Sequence, residues 1–595
     1  MPKALRAQSS DAEKEQMAIQ FYQDEDYEKA IELFSELFEA NPSSSYFYEY
    51  YFQSLIKAQA FDRAEKMLKK QVRRSDKPGT YRVDLGYLYK LADEPDESEE
   101  TYQEALEEMP GIESRVLQVA NTFYRRGELD YAIEAYKKGR KRMGDPTAFR
   151  FQLANVYLED GQMRSTVIEY LNAVEEERNN LSYVKNRLQQ HFDREGLEKE
   201  LRLELLARIQ LKPDEDVYAD LLSWYYIQKK DFEAAFRQLK ALDQRNPRGK
   251  KGELVELGKV AASNQAYDAA TKIYQYILEE DERGPFYFKA RRELMDVRYR
   301  KIQATDSVDM QGVQALESEI NSFLESYQNR LEESASLVRQ LAEIKANYLD
   351  KTDEAIALLE EYVSREELDK QDRARMKLAL GDYYLLKGDP WEATLYYGQV
   401  EKSFRDHPLG HEAKFRGAKL AFYRGDFEFA QAKLKVLKGS TSELIANNAL
   451  ELSLLIQDNL GLDTSLKPMQ MYAHADLLIF KHQYRKALDT LSLLRQRFPN
   501  HSLTDEILFA QAKIYERQRR YEEAVEAYTQ VANYRKNNIL ADNALYRLGM
   551  LHQERTGDTA KALEAYEDLI FNHKGSVFVV DARKRYRRLR GDAVN

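Results

Sequence analysis

The stretch LGYLYKLADEPDESEETYQEALEEMP, Leu85 to Pro110, decides the fold. It opens Leu-Gly, places Tyr89 four residues after Leu85, carries Tyr102 and Ala105 near its end, and stops on Pro110. One amphipathic helix does not need that order, and no catalytic motif needs it. Two helices packed as a hairpin do. A small residue on the first helix lets the second approach, and large aromatics fill the space beside it. Proline ends the second helix because it cannot continue one. The polar segment DEPDES, 93–98, is the expected turn.

Working outward, the pattern recurs at a spacing of 34. The small residue of the first helix falls at Ala18, Gly86, Ala120 and Ala154, with Phe52 a large exception. Twelve residues later stand Ala30, Ala64, Ser98, Ala132 and Thr166, and four further on Phe34, Leu68, Tyr102, Tyr136 and Tyr170. Pro42 and Pro110 stop second helices, while Gly127 and Gly161 close first helices in a left-handed conformation. A degenerate unit spans 181–214, retaining Ala207 but placing Glu204 where a large aromatic belongs. Better units follow around Ala235, Leu239 and Pro247, then Gly258, Ala270 and Tyr274. The rhythm loosens over 286–340, where QATDSVDMQG extends a turn, and the spacing then becomes 37, as between Gly381 and Ala418 and along Ala475, Ala512 and Gly549. The added residues are expected between units, in SFRDHPLGHEA (403–413) and RQRFPNHSLTDE (495–506). At 388–392, Gly388 ends one helix, Asp389 caps the next, Pro390 takes its first position and Glu392 completes a capping box. The segment 443–470 carries an unpaired helix and the loop DNLGLDTSLKP.

Leu85, Gly86, Tyr89, Tyr102, Ala105 and Pro110 occupy consensus positions of the tetratricopeptide repeat, with Ser98 in place of the usual Ala, and the chain resembles that family over nearly its whole length. The resemblance implies an all-α superhelical solenoid of roughly 13 to 15 helix hairpins in two blocks. The expected divisions are a leader or signal-peptide remnant at 1–10, a first block at 11–285, an irregular repeat or hinge at 286–340, and a second block at 341–595. That second block has a break at 443–470 and ends in a basic capping helix. The longer period is similar to tetratricopeptide proteins of bacterial envelopes, including the outer-membrane-assembly lipoprotein and the periplasmic division-coordinating protein. The phrases STSELIANNALELSLLIQDNLGLD (440–463) and VDARKRYRRLRGD (580–592) resemble a large periplasmic family of Bacteroidota. A periplasmic location is what this implies; without a lipobox cysteine no lipid anchor is carried over.

Composition agrees with helix throughout. Gly and Pro number only 25 and 13 in 595 residues, hydrophobic residues make 43% and charged residues 32%. The 41 Tyr are explained by repeat packing positions, where an amphipathic ring fills space and keeps its hydroxyl near solvent. A net charge of −11 argues against a general nucleic-acid binder. The absence of Cys excludes disulfides, thiol catalysis and zinc-finger sites, and no run approaches the roughly 18 apolar residues of a membrane helix. MPKALRAQSS at the start reads either as the end of a secretory signal, with Ala7 at the cleavage position, or as a short disordered leader.

Catalytic and metal chemistry find little support, and no enzyme activity and no cofactor are expected. His407 and His411 are separated by Pro408 and Gly410, which favours a surface loop over a shared metal-binding face. His474 and His482 read as packing or surface residues, and DEPDESEE lacks the ligand spacing of a calcium loop. No phosphate loop, nucleophile elbow or dinucleotide fingerprint occurs. The groove-facing positions of the first helices carry Tyr46, Gln53, Tyr87, Lys90, Asn121, Tyr124, Arg125 and Asn155, and Trp224 continues the stripe. Aromatic and Arg anchors beside amides suit capture of an extended peptide or helix; ordinary surface residues are the plainer reading. The chaperone-tail carboxylate clamp is not expected, because Leu117 and Phe151 replace its Lys beside Asn121 and Asn155. The tail Arg583–Arg590 reads as a solvated cap or as a contact for an anionic membrane or partner. The expected function is a non-catalytic scaffold or adaptor of the bacterial cell envelope, with one or more proteins as partners through the concave groove, possible outer-membrane or envelope complexes among them. The alternative is a cytoplasmic regulatory or co-chaperone adaptor.

Overall fold

The computed structural model describes residues 2–245, 249–280, 284–305, 309–437, 443–460, 465–499, 501–534 and 540–592. Among them are 32 α-helices, and consecutive helices pack as pairs along the chain. Leu181–Gln190 and Leu197–Leu211, which pack on their neighbours rather than on each other, and Glu443–Leu460 and the terminal Val579–Arg590 stand outside that pairing. By contact the chain divides into two compact units, Met1–Phe286 and Tyr287–Asn595. Each is held by a succession of local apolar clusters between neighbouring hairpins, as expected where every repeat buries its face only against the next.

The 34-residue register is the packing register. Ala18, Ala120 and Ala154 are fully buried, as are Ala30, Ala64, Ala132 and Thr166, and the large residues Phe34, Leu68, Tyr102, Tyr136 and Tyr170 lie in the same interior. The small residue of each first helix is small because a ring sits on it. A Cβ built at Gly86 would lie 2.5 Å from the Tyr102 ring, and one at Gly258 would lie 2.5 Å from Tyr274. Gly381 meets Tyr397 in the same way. These pairs are 16 residues apart, but Gly549 meets Tyr566, 17 residues on. The extra residue is absorbed by a π-helical segment, His552–Thr556, that widens the end of the helix Ala541–Leu551.

Each hairpin turns on one left-handed residue. In the first unit these include Glu25, Gln59, Asp93, Gly127 and Gly161, each 34 from the last, and then Lys230 and Gln265, 35 apart. The next residue donates its N–H five positions back, from Asp26 to Phe21, Ala60 to Leu55, Glu94 to Tyr89, Glu128 to Phe123 and Gln162 to Tyr157, at 2.8–3.0 Å. This is the Schellman closure, which satisfies carbonyls the helix end leaves free. In the second unit Gly388 and Gly425 are 37 apart, and so are His482 and Arg519. The longer gap between Gly425 and His482 contains Glu443–Leu460.

Several expectations need correction. The helix Pro95–Glu107 starts inside DEPDES, so the turn is only Asp93 and Glu94; proline is at home in a first helical turn. Gly388, Asp389 and Pro390 act as expected, with Asp389 Oδ1 accepting from the Trp391 and Glu392 N–H groups at 3.1 and 3.2 Å. The return half of the capping box is not made, because the Asp389 N–H already donates to Tyr384 O at 2.8 Å. Ala207 does not pack: it is exposed, and its helix Leu197–Leu211 buries Leu197, Leu201 and Leu205 instead. That stripe at every fourth residue turns Glu204 sideways, where it accepts from Arg208 at 3.1 Å. The stretch expected as a leader lies in the first helix, Pro2–Gln23, which neither supports nor overturns that expectation. Pro247 and part of QATDSVDMQG, residues 306–308, lie outside the described residues.

Around Glu443–Leu460 the packing leaves a buried carboxyl. Asn459 Nδ2 donates to Glu506 Oε1 at 3.4 Å, while Glu506 Oε2 is enclosed without a partner. Burial, then the neighbouring Asp505, pushes the Glu506 carboxyl above the usual range. Its folded value therefore exceeds its unfolded one. The stability it contributes is complete at low pH and is lost as pH rises through the folded value. Glu506→Gln keeps the shape without the titration, so its melting temperature should exceed the parent's more at pH 8 than at pH 5. A difference that does not change with pH would show that the carboxyl ionises as freely in the fold as outside it.

Candidate protein-binding surfaces

The face of the first helices in the first unit is organised by one arginine. Arg126, just past the helix Glu113–Arg125, reaches back over two hairpins. Its Nε donates to Asp84 Oδ1 at 2.7 Å, and Nη1 and Nη2 grip both oxygens of Glu49 at 2.7 and 3.0 Å. The guanidinium lies over the rings of Phe52, 4.9 Å away, and Tyr87, 5.7 Å away. Tyr48 completes the network by donating to Asp84 Oδ2 at 2.5 Å. Asp84 is wholly buried, and burial pushes its carboxyl up despite Arg126. For Glu49 burial acts the same way, but the Arg126 hydrogen bonds and charge outweigh it and hold the carboxyl below its ordinary value.

The stripe expected from the sequence divides around this node. Gln53 Nε2 donates to Glu49 at 3.0 Å and Arg125 lies 4.0 Å from the same carboxylate, so Gln53, Tyr87 and Arg125 come together. Tyr46 and Tyr124 are exposed, at 45% and 40%. Lys90 pairs with Glu128 at 2.7 Å. Tyr87 is half-buried against the apolar clusters on both sides. Asn121 and Asn155 are already engaged. Each accepts the hydroxyl of the packing tyrosine 15 residues on, from Tyr136 at 2.8 Å and Tyr170 at 3.3 Å. Asn155 also takes Arg187 Nη2 at 2.8 Å. In the next such pair, Tyr87 stands where Asn would, and the Tyr102 hydroxyl is buried without a partner. Trp224 is half-buried beside Phe192, ring centres 5.7 Å apart, with the Lys185 ammonium 5.9 Å above it.

In the second unit the first helices Leu331–Glu343, Lys370–Lys387, Pro408–Tyr423, Lys467–Phe480 and Thr504–Arg517 line one cavity of about 730 Å³. Sequence reading did not single it out. Its centre repeats the tyrosine–acceptor spacing of 15, with Tyr397 donating to Asp382 Oδ1 at 2.7 Å, and Arg416 bridges Asp382 and Glu412.

His407 is not in a loop with His411. It is the N-cap of Pro408–Tyr423, with Nδ1 accepting from the Leu409 N–H at 3.2 Å, because Pro408 suits the first helical position. Among the described residues no group of three or more His, Asp or Glu is placed to hold a metal ion, and no helix is long and apolar enough to cross a membrane. The basic helix Val579–Arg590 buries Val579 and Ala582 and leaves Arg583, Lys584, Arg587, Arg588 and Arg590 exposed. Arg585 is tied to Asp581 and Glu554, both at 2.7 Å.

A tetratricopeptide-repeat model matches residues 472–538 and 509–577. No curated protein matches the chain. Among solved structures, a tetratricopeptide repeat protein from Parabacteroides merdae is 11% identical, with 50% of this chain and 97% of that one covered and a TM-score of 0.28. A structure of Naa15/Naa10 bound to HypK-THB is 14% identical over 98% of this chain and 97% of that one, with a TM-score of 0.26. At these TM-scores neither likeness carries an argument. The sequence match and the helix pairing agree: the described residues are all-helical, in paired helices consistent with a tetratricopeptide solenoid, with tetratricopeptide repeats matched over 472–577.

Proposed function

We propose that the chain is a non-catalytic scaffold of the bacterial cell envelope, located in the periplasm, that holds protein partners on the first-helix face of its first unit. The observation that carries the binding reading is that Tyr46 and Tyr124 are exposed, on the two helices whose Glu49 and Arg126 are joined. Both stand on helices, Ser45–Lys57 and Glu113–Arg125, so the rings present contact area from an ordered backbone at low entropic cost on binding. The envelope location is supported by the resemblance of the 37-residue repeats and of the phrases at 440–463 and 580–592 to periplasmic repeat proteins.

Both tyrosines are exposed, so Tyr46→Ala with Tyr124→Ala should leave helicity and melting nearly unchanged. Recovery of partners crosslinked to the chain in its native host should fall by about tenfold or more, the loss of two aromatic anchors. Undiminished recovery would remove this face from consideration. Fractionation of the same cells tests the location, and a chain found wholly in the cytosol would favour the cytoplasmic adaptor.

A further inference from the structure

The chain has a net charge of −11, yet the cavity of the second unit is lined by six Lys and Arg against four carboxylates, Glu343, Asp382, Glu412 and Asp476. Its carboxylates are largely occupied. Asp382 is held by Tyr397 and Arg416, Glu412 by Arg416, and Asp476 lies 3.6 Å from Lys419. Arg339, Lys513 and Arg517 line the same cavity, and none has a carboxylate within ion-pair distance among the described residues. Arg339 Nε is buried with no acceptor. Lys513 lies 5.0 Å above the Phe509 ring, and enclosure depresses both its ammonium and the Arg339 guanidinium. The half-buried Arg339, with an enclosed N–H that no acceptor meets, is unfavourable until an acceptor arrives. Lys513 and Arg517 also line an adjoining depression of about 410 Å³ with Arg547, so the basic track continues along the unit.

Between the cations the walls are apolar, formed by Leu378, Ile479, Phe480, Phe509 and Ile514. A small inorganic anion would leave these uncovered, and a nucleic acid would meet the repulsion of a chain with excess negative charge. An acidic polypeptide with apolar residues satisfies both surfaces. We propose that this cavity is a second binding site, for an acidic polypeptide segment whose carboxylates meet Arg339, Lys513 and Arg517 while its apolar side chains cover Phe480, Phe509 and Ile514. The site goes beyond the first-unit surface and shares no residue with it.

The test uses the full chain and a fluorescent Glu-rich peptide with Leu at every third position, acetylated and amidated so that no terminal carboxylate takes part. Anisotropy should show saturable binding that weakens with added salt. It should be displaced by unlabelled peptide but not by the Lys-for-Glu peptide or by a single-stranded oligonucleotide of equal charge. Lys513→Glu with Arg517→Glu reverses two exposed charges without touching the core, and should weaken binding about tenfold or more at unchanged helicity. The Tyr46→Ala, Tyr124→Ala variant should bind this peptide normally, which separates the two sites. Absence of saturable binding, indifference to the charge reversal, or equal displacement by the oligonucleotide would each overturn the proposal.

Discussion

Ala132→Arg should destabilise the first unit severely, while Asp130→Arg two residues away should change its melting hardly at all. Ala132 has no exposed surface and sits on the helix Leu129–Met143, among Tyr102, Phe123 and Tyr136. Forcing a longer side chain into such a site costs about 1–3 kcal/mol in displaced neighbours. The buried guanidinium would add several kcal/mol more. Together these approach the roughly 5–15 kcal/mol that holds an ordinary domain folded. The damage would spread, because each hairpin depends on its neighbours for burial. Asp130 is exposed, so its replacement should stay within about 0.5 kcal/mol. Thermal melts followed by circular dichroism decide the matter, and equal midpoints would mean that the repeat register does not describe the packing.

The register was legible because packing of this kind leaves a mark at every repeat. A ring that must rest on a helix backbone demands Gly or Ala there, and Gly86, Gly258 and Gly381 are each read against the tyrosine 16 positions on. The turns were only half legible. Gly127 and Gly161 announce a left-handed residue, but Glu25, Gln59 and Asp93 adopt the same conformation without announcing it. A non-glycine residue there costs about 1–2 kcal/mol, which the Schellman bonds help to offset, so the position tolerates any polar side chain. The π-helical insertion at His552–Thr556 was hidden for a related reason: it changes a spacing by one residue and leaves composition untouched.

The candidate surface was less legible. Sequence position identifies which residues share a helix face, and Gln53, Tyr87 and Arg125 gather around Glu49 and Arg126. It did not show that Asn121 and Asn155 were already committed to Tyr136 and Tyr170, although the recurring interval of 15 between amide and tyrosine was there to be read. Asp84 and Arg126 could not be singled out. They are 42 residues apart, Glu49 and Arg126 are 77 apart, and among a chain that is 32% charged no local pattern marks such partners. The cavity of the second unit is harder still, since Arg339 and Lys513 belong to different hairpins and meet only once the intervening helices stack.

That hidden network supports the second large effect. Arg126→Met removes the only cation, among the described residues, bonded to wholly buried Asp84 and leaves Glu49 without its bidentate partner. Burial already pushes the Asp84 carboxyl upward; without Arg126 nothing opposes that push except the Tyr48 hydroxyl. Stripping one partner from a buried ion pair typically costs about 3–5 kcal/mol, because the remaining charge stays desolvated. The loss should also loosen the stacking of three hairpins, since Glu49, Asp84 and Arg126 come from three consecutive ones. If uncompensated charge is the cause, the cost must be recoverable. Arg126→Met combined with Asp84→Asn and Glu49→Gln removes every charge, leaves Tyr48 an acceptor at position 84, and should regain most of the lost stability. A triple variant as unstable as Arg126→Met alone would show that the guanidinium acts chiefly by packing between Phe52 and Tyr87, and that its charge contributes little.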